Sequence, residues 1–149
     1  MKKRLMVIGA IGCGKTTLIL AIKGLKKSAT KTQAVEFIDS VIDTPGEFLE
    51  NPFYYKALMA TAFEAEMIFL LQDATRKNSV FPPGFAKGFP KKTFGIVTKI
   101  DHPEANLERA VNFLRLAGVN EPIFFVSALR GDGINELINF INESGREKQ

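Results

Sequence analysis

The stretch that decides the fold is Leu5-Met6-Val7-Ile8-Gly9-Ala10-Ile11-Gly12-Cys13-Gly14-Lys15-Thr16, near the start of the sequence. Residues 5–9 form a continuous apolar run, which is typical of a parallel strand buried on both faces. Residues 9–16 fit the pattern G-x4-G-K-T of a phosphate-binding loop (P-loop), which requires a strand before it and a helix after it. Apolar residues recur at helical spacing from Leu18 to Leu25, so the sequence predicts strand, P-loop and helix in that order.

The chemistry of phosphate binding explains these residue types. Glycines let the backbone curl so that successive N–H groups point into one concavity at the positive end of a helix. We expect Lys15 to reach the β- and γ-phosphates and the Thr16 hydroxyl to ligate Mg²⁺. The residues predicted to contact the nucleotide here are Gly9, Gly12, Cys13, Gly14, Lys15, Thr16 and Thr17. Cys13 is either a thiol activated by the helix dipole or a small filler side chain, and we favour the filler.

Length and composition fit one domain, residues 1–149, with a polar tail at 143–149 that we expect to fray. A single cysteine excludes an internal disulfide and agrees with a cytoplasmic location. No apolar stretch reaches the ~18 residues of a membrane span. The net charge of +4 suits a polyanionic ligand. Because the basic clusters lack interleaved aromatic residues, we expect no nucleic-acid partner.

Apolar runs of strand length alternate with helical periodicity along the rest of the chain. The predicted strands are residues 5–9, 40–43, 67–71, 93–97 and 123–126. Predicted helices begin at Pro52 after an Asn51 cap, at Pro103, and at Asp132 or Gly133. Gly118 is expected to end the second of these. The alternation predicts a three-layer α/β fold: a mostly parallel sheet of five to six strands with helices on both faces.

Residues 74–92 interrupt this rhythm, because their prolines and glycines disfavour a long helix. The segment also carries Phe81, Phe85 and Phe89. Either these aromatic side chains fold back onto the core, which we favour, or they form a docking surface.

Asp43-Thr44-Pro45-Gly46 follows a predicted strand and fits a D-x-x-G turn. There Asp43 would hold Mg²⁺ through water, and the Gly46 N–H would sense the γ-phosphate. Thr32 is the best candidate for a further Mg²⁺-ligating threonine, with Thr30 as the alternative. The short interval before Asp43 allows only a tight hairpin of residues 34–37 with 40–43.

Thr98-Lys99-Ile100-Asp101 follows the strand at 93–97 and predicts a base site. The Asp101 carboxylate can accept hydrogen bonds from both N1–H and N2–H₂ of guanine, whereas adenine offers a repelling lone pair at N1. The Lys99 stem would pack along the base. Ser127 and Ala128, after the last predicted strand, can close the pocket with a backbone N–H. As a simple alternative, Asp101 could cap the helix predicted after it.

The order G-x4-GKT, DTPG, TKID and SA resembles the small GTPase type of P-loop fold. Longer stretches resemble the ethanolamine- and propanediol-utilisation P-loop family (EutP/PduV-like), encoded with bacterial microcompartments. These stretches are residues 31–37, 42–47, 49–51, 72–75, 79–86 and 95–101. The resemblance implies a nucleotide-binding accessory protein that takes GTP or GDP, with ATP as an alternative, together with Mg²⁺. It also implies association with microcompartment shell or pathway proteins, and an acetate kinase activity attributed to the ethanolamine branch.

The sequence departs from ordinary GTPases after the D-x-x-G glycine, where Glu47 replaces the glutamine that orients water. Either this carboxylate repels the γ-phosphate, which predicts slow hydrolysis, or it points away. Acetate kinase chemistry would need a carboxylate pocket, for which Lys31, Arg76 and Lys77 are candidates without a compelling spacing. We favour a slow GTPase or GTP switch over phosphoryl transfer to acetate and over a docking module. The charged residues 2–4 could address a shell or simply be a solvated strand start.

Overall fold

A five-stranded sheet organises the part of the chain that the computed structural model describes, residues 3–27, 38–44 and 46–147. Its strands are β1 (Lys3–Gly9), β2 (Ile38–Asp43), β3 (Met67–Asp73), β4 (Thr93–Thr98) and β5 (Asn120–Phe125). Their spatial order is β2-β1-β3-β4-β5, and every neighbouring pair is parallel. All carboxyl ends therefore meet at one edge, where open α/β sheets bind ligands. The predicted hairpin partner at residues 34–37 lies outside the described residues.

Helices cover both faces of the sheet. They are α1 (Lys15–Lys27), α2 (Glu47–Glu50), α3 (Tyr55–Ala62), α4 (Leu107–Ala117) and α5 (Ile134–Glu147), with 3₁₀ turns at Pro52–Tyr54 and Phe85–Gly88. Helices α1 and α5 pack on one face through Leu18, Ile22, Leu137 and Ile141. The opposite face packs Leu58, Ala110 and Leu114 of α3 and α4. The predicted α/β fold with helices on both faces is confirmed.

The structure confirms Asn51 and Gly118 as capping residues, but Asn51 caps the 3₁₀ turn Pro52–Tyr54, and the α-helix predicted from Pro52 begins only at Tyr55. The Asn51 side chain accepts a hydrogen bond from the Phe53 N–H at 3.0 Å, as an N-cap does. Gly118 ends α4 in the left-handed region, at φ +88°.

Two further predicted helix boundaries differ from the structure. The helix expected from Pro103 begins only at Leu107, because the Asn106 carboxamide caps the Arg109 N–H at 3.0 Å. Residues before it form a turn in which the His102 N–H donates to the Lys99 carbonyl. The polar tail expected to fray from residue 143 is helical through Glu147, and residues 148–149 lie outside the described range.

The aromatic segment between β3 and β4 folds back onto the core, as favoured. Phe81, Phe85 and Phe89 are only 5%, 7% and 7% exposed. Phe85 lies at the centre of the group, with its ring 5.3 Å from Tyr55 and 5.2 Å from Phe89. Because these rings are buried, the alternative of a phenylalanine docking surface on this segment is wrong.

Gly133, which connects β5 to α5, provides a stability test. It adopts φ +78°, and an added Cβ would overlap the Phe125 carbonyl oxygen. We therefore expect Gly133→Ala to lower the free energy of unfolding by about 3 kcal/mol, measured by urea denaturation. Gly131→Ala is the matched control, since Gly131 has φ +83° but open space around it. It should cost only the ~1 kcal/mol of backbone strain, and equal losses would contradict steric overlap as the cause.

Candidate nucleotide-binding site

The loop between β1 and α1 is shaped by glycines in conformations that other residues avoid. Gly12 lies at φ +80° and Gly14 at φ +100°, both in the left-handed region. The Cys13 N–H donates to the Ala10 carbonyl at 3.1 Å, which closes the turn. Gly9 must also lack a side chain, because a Cβ there would overlap the Cys13 sulfur. The loop is therefore a backbone cradle at the amino end of α1.

Cys13 is the filler of this loop. Its side chain is 2% exposed, and burial raises the pKa of the Cys13 thiol, although the Lys15 charge opposes the rise. A raised pKa keeps the thiol protonated at neutral pH. The alternative of an activated thiolate is therefore wrong.

Lys15 is a buried cation that faces the cradle. Its side chain is 9% exposed, and its ammonium donates to the Gly9 carbonyl at 3.1 Å. Among the described residues no carboxylate lies within salt-bridge distance of Lys15. A buried charge without a counter-charge is costly, so an anion in the cradle would compensate it. The cradle, the buried cation and Thr16 in the first turn of α1 fit a bound phosphate chain.

A second loop, after β4, is tied directly to the cradle. The Lys99 ammonium donates to the Gly12 carbonyl at 2.6 Å and lies 2.9 Å from the Asp73 carboxylate. Thr98 Oγ1 donates to the Cys13 carbonyl at 2.6 Å. Lys99 itself adopts φ +60°, which is uncommon for a residue with a side chain. These contacts hold the predicted base-recognition residues in a fixed position against the predicted phosphate loop.

Asp73, at the end of β3, is one of the residues at the site that sequence reasoning missed. Its Oδ1 accepts hydrogen bonds from the Thr75 N–H at 2.8 Å and the Thr75 hydroxyl at 2.6 Å, while Oδ2 faces Lys99. The usable signal was the Asp-Ala-Thr turn after the most apolar strand, since Asp commonly bonds the backbone two residues on. Without the fold, that turn did not reveal Lys99 as a partner.

The pKa of Asp73 yields a prediction for acid stability. Burial acts to raise this pKa, but the Thr75 hydrogen bonds and Lys99 outweigh it, so the pKa lies below its ordinary value. A depressed carboxyl pKa contributes stability that is full above the unfolded pKa and lost as pH falls through the folded one. We therefore expect Asp73→Asn to cost about 1–2 kcal/mol at pH 7, with a difference from wild type that shrinks towards pH 3.

Urea denaturation across that pH range measures this difference. Asp132→Asn is the control, because the Arg130–Asp132 pair is 3.6 Å long and exposed, and such pairs contribute little. A pH-independent cost of Asp73→Asn would contradict a role for its charge.

A cavity of about 260 Å³ adjoins the cradle on the side of the second loop. Of the predicted base-site residues, Thr98, Lys99, Asp101 and Ala128 line it, together with Gly14 and Thr17 of the predicted phosphate site. Its remaining wall consists of Leu18, His102, Val126 and Leu129. Sequence reasoning missed His102 and Leu129. Each directly follows a predicted base-site residue, Asp101 and Ala128 respectively. Asp101 is exposed at the cavity and does not cap α4, because Asn106 does.

Ser127 is the predicted base-site residue that does not line the cavity. It is fully buried, its N–H donates to the Asp132 carbonyl at 3.0 Å, and its Oγ accepts from the Arg130 N–H at 3.2 Å. These bonds shape the turn that places Ala128 and Leu129 at the cavity. Of the two residues predicted to offer a backbone N–H, only Ala128 faces the cavity.

The D-x-x-G loop lies on the other side of the cradle. Asp43 pairs in register with Val7, and Thr44 Oγ1 donates to the Val7 carbonyl at 3.0 Å. Gly46 is buried against the P-loop, where an added Cβ would lie 2.7 Å from the Ile11 nitrogen. Asp43 and Gly46 are therefore next to the strand and loop that carry the predicted phosphate site.

Several predicted residues cannot be placed in this geometry. Thr30, Lys31 and Thr32 lie outside the described residues, as does the side chain of Glu47. Within the described ranges, Arg76 is half-buried, Lys77 is exposed, and neither lines the cavity. Their predicted roles in Mg²⁺ ligation, catalysis or acetate binding stay predictions.

The candidate site offers few protein ligands for a Mg²⁺ ion among the described residues. The described residues contain no group of three or more His, Cys, Asp or Glu that could hold a metal ion. Mg²⁺ is often bound by one or two protein oxygens plus waters and substrate phosphates. The Thr16 hydroxyl and the Asp43 carboxylate fit that arrangement.

No helix in the described ranges is long and apolar enough to cross a bilayer.

Solved structures that share this fold include a translation elongation factor and Era. Elongation factor SelB from Methanococcus maripaludis in its apo form matches 97% of this chain with a TM-score of 0.66 at 20% identity. A variant of Era from Aquifex aeolicus bound to GDP and AlF4⁻ matches 96% with a TM-score of 0.63, also at 20% identity. The chain spans 34% and 57% of those two chains. At such identity the likeness establishes the fold alone, and it confirms the predicted P-loop architecture.

Relatives of closer sequence share nearly the whole chain. Propanediol utilization protein PduV from Citrobacter freundii is 39% identical over 140 residues, covering 94% of this chain and 93% of the relative. A probable acetate kinase EutP from Salmonella typhimurium is 36% identical over 141 residues, covering 93% and 89%. The profile of the family described as PduV-EutP, ethanolamine utilisation and propanediol utilisation, matches residues 1–143. The predicted resemblance is thereby confirmed, and the chain belongs to the PduV-EutP family.

Proposed function

We propose that this chain binds a guanine nucleotide with Mg²⁺ and works as a slow GTPase or GTP-dependent switch. Its setting would be microcompartment-linked utilisation of ethanolamine or propanediol. The observation that carries the proposal is one cavity at the end of the P-loop, lined by Thr98, Lys99 and Asp101. The matched family supports the metabolic setting.

Asp101 is the residue that favours guanine. Among the residues that line the cavity it is the one carboxylate. Guanine presents N1–H and N2–H₂ side by side, and a carboxylate accepts from both. Adenine would place the lone pair of N1 against the same oxygens, which leaves the carboxylate unpaired and is strongly unfavourable. The curated relative named GTPase Era, from Erythrobacter litoralis, agrees with this preference at 29% identity.

The phosphates would lie in the cradle of residues 9–16. Lys15 would neutralise the β- and γ-phosphates, and the backbone N–H groups at the start of α1 would bind their oxygens. Mg²⁺, held through Thr16 and Asp43, would supply charge neutralisation between the phosphate oxygens. Gly46, seated on the P-loop at Ile11, is in a position to respond to the γ-phosphate.

Slow hydrolysis follows from the residue after Gly46. Glu47 occupies the position at which a glutamine commonly orients the attacking water. A carboxylate near the γ-phosphate repels it and cannot donate a hydrogen bond to water unless it is protonated. A protein that hydrolyses slowly stays in its triphosphate state, which suits a switch.

Phosphoryl transfer to acetate is the alternative raised by the name of the EutP relatives. It requires ATP, against which Asp101 discriminates, and an acetate pocket beside the γ-phosphate. Lys31, Arg76 and Lys77 remain the candidate acetate-binding cations of this alternative, and none has a spacing that compels the choice. A non-catalytic module that docks on shell or pathway proteins, with residues 2–4 as an address, is a further alternative.

Titration with GDP, GTP, ADP and ATP in the presence of Mg²⁺ tests the proposal. We expect GDP and GTP to bind at least ~100-fold more tightly than ADP and ATP, since the site is built to hydrogen-bond a guanine edge. Equal affinity for ATP would contradict guanine binding. Acetyl phosphate formed from ATP and acetate, and abolished in Lys15→Ala, would instead support the kinase alternative.

A further inference from the structure

Helix α3 presents an exposed apolar face on the side away from the core. The face begins in the 3₁₀ turn and continues through α3 into the two residues after it. Its exposed positions at helical spacing are Phe53, Lys56, Ala57, Ala60, Phe63 and Glu64, and Pro52 at the start of the turn is exposed as well. Leu58, Ala62 and Ala65 alternate with them and are buried in the core. Phe53 and Phe63 are 80% and 68% exposed, which is unusual for two large aromatic side chains on one face.

The two phenylalanines lie at opposite ends of this face. Ten positions separate them, which is about 15 Å at the helical rise of ~1.5 Å per residue. Between them lie the small side chains of Ala57 and Ala60 and the flexible side chain of Lys56, so another helix can approach closely at the alanines. Phe53 is held in place, because its ring meets Tyr54 edge-on at 5.4 Å and Tyr54 stacks on Phe48 at 4.6 Å.

The same face also carries one charge of each sign. Lys56 lies near its beginning and Glu64 near its end. In an antiparallel two-fold arrangement of two such helices, Phe53 of one copy meets Phe63 of the other, and Ala57 meets Ala60. Lys56 then comes within reach of Glu64 of the second copy, and the operation repeats each contact. A face whose parts complement one another in this way has the property that an isologous interface requires.

We propose that this face, defined as Phe53, Lys56, Ala57, Ala60, Phe63 and Glu64, binds a second copy of the chain. Two phenylalanines and two alanines bury on the order of 400 Å² per copy, about half of a standard interface. An interface of this size fits a weak dimer that forms only at high protein concentration. The proposal does not rest on the nucleotide assignment, because none of these residues lines the cavity or the cradle.

Sedimentation velocity from ~5 to ~500 µM tests this interface with the full chain. Wild type should shift from monomer to dimer across that range. Lys56→Glu and Glu64→Lys should each raise the dissociation constant at least ~5-fold through like-charge contacts, and the double reversal should restore it. Ala60→Glu, which puts two carboxylates near the two-fold axis, should abolish the dimer. Leu116→Glu on exposed α4 is the matched control and should leave it unchanged.

All the substituted positions are exposed, so we expect each variant to fold like wild type. Circular dichroism of each variant checks this expectation. A wild-type chain that stays monomeric at ~500 µM would overturn the proposal. So would a dimer that is indifferent to Ala60→Glu and to both charge reversals, because it would form through another surface. A dimer weakened in both single reversals, which change the net charge in opposite directions, and regained in the double reversal supports a Lys56–Glu64 contact between copies.

Discussion

Replacing Asp101 by asparagine is expected to lower the affinity for GDP by about 100-fold and to raise the affinity for xanthosine diphosphate. The carboxylate accepts from N1–H and N2–H₂ of guanine, whereas a carboxamide can accept only one of these bonds and turns its NH₂ towards the other donor. Xanthine has a carbonyl oxygen in place of the 2-amino group, so the carboxamide NH₂ of the variant would donate to it. Competition titrations with the two diphosphates measure the exchange of specificity.

Glu104→Gln is the matched control for this substitution. Glu104 is an exposed carboxylate three positions further along the chain that does not line the cavity. Its removal changes the net charge by the same amount, so it separates base recognition from the general field of the protein. If both variants weakened GDP binding equally, or if xanthosine diphosphate gained nothing from Asp101→Asn, the base would not be read by Asp101.

The predicted strands and loops follow from local patterns that the fold did not override. Continuous apolar runs predicted the buried strands β1, β3 and β4, whereas the strand predicted to be buried at 123–126 is the edge strand β5, whose residues are half-buried or exposed. The glycines of residues 9–16 predicted a loop in which Gly12 and Gly14 adopt positive φ. Because parallel strands end at one edge, four motifs separated by long stretches of chain were predicted to converge. Residues of three of these motifs line one cavity, namely Gly14 of the P-loop, Thr98, Lys99 and Asp101 after β4, and Ala128 after β5, whereas the D-x-x-G loop lies against the P-loop outside this cavity.

What the sequence could not supply are contacts between residues far apart along the chain. Lys99 was predicted to lie along the base, but its bonds to Gly12 and Asp73 depend on three loops meeting. Helix α4 begins four residues later than the start predicted at Pro103, because the Asn106 side chain caps the Arg109 N–H while Pro103 lies in a turn. The sequence pattern of Phe81, Phe85 and Phe89 is compatible with either a surface or a core location. Tertiary packing decides for the core.

Lys99 connects the two halves of the site. Lys99 lines the cavity proposed to hold the base, and its ammonium donates a hydrogen bond to the Gly12 carbonyl of the cradle. A base that packs along the stem therefore contacts the same side chain that fixes the phosphate loop. Asp73 keeps the ammonium in place, so its charge is expected to influence both halves without touching the nucleotide.

Replacing Lys15 by methionine should lower the affinity for GTP by about 100- to 1,000-fold, because a buried cation facing phosphate is worth several kcal/mol. The same substitution should leave the free energy of unfolding of the nucleotide-free protein within about 1 kcal/mol of wild type. It removes a buried charge that has no carboxylate partner among the described residues, but it also leaves the Gly9 carbonyl without its donor. In the nucleotide-free protein, the gain from removing the buried charge and the loss of the hydrogen bond to the Gly9 carbonyl oppose each other, so the net change in stability is small.

Titration with a fluorescent GTP analogue and urea denaturation of the nucleotide-free protein measure the two quantities separately. Lys77→Met removes an exposed cation outside the cavity and should change neither. Undiminished triphosphate affinity in Lys15→Met would show that the cradle is not the phosphate site. A large loss of stability without nucleotide would show that Lys15 supports the fold itself. Only the combination of a large loss of binding and nearly unchanged stability identifies Lys15 as a cation whose partner is the ligand.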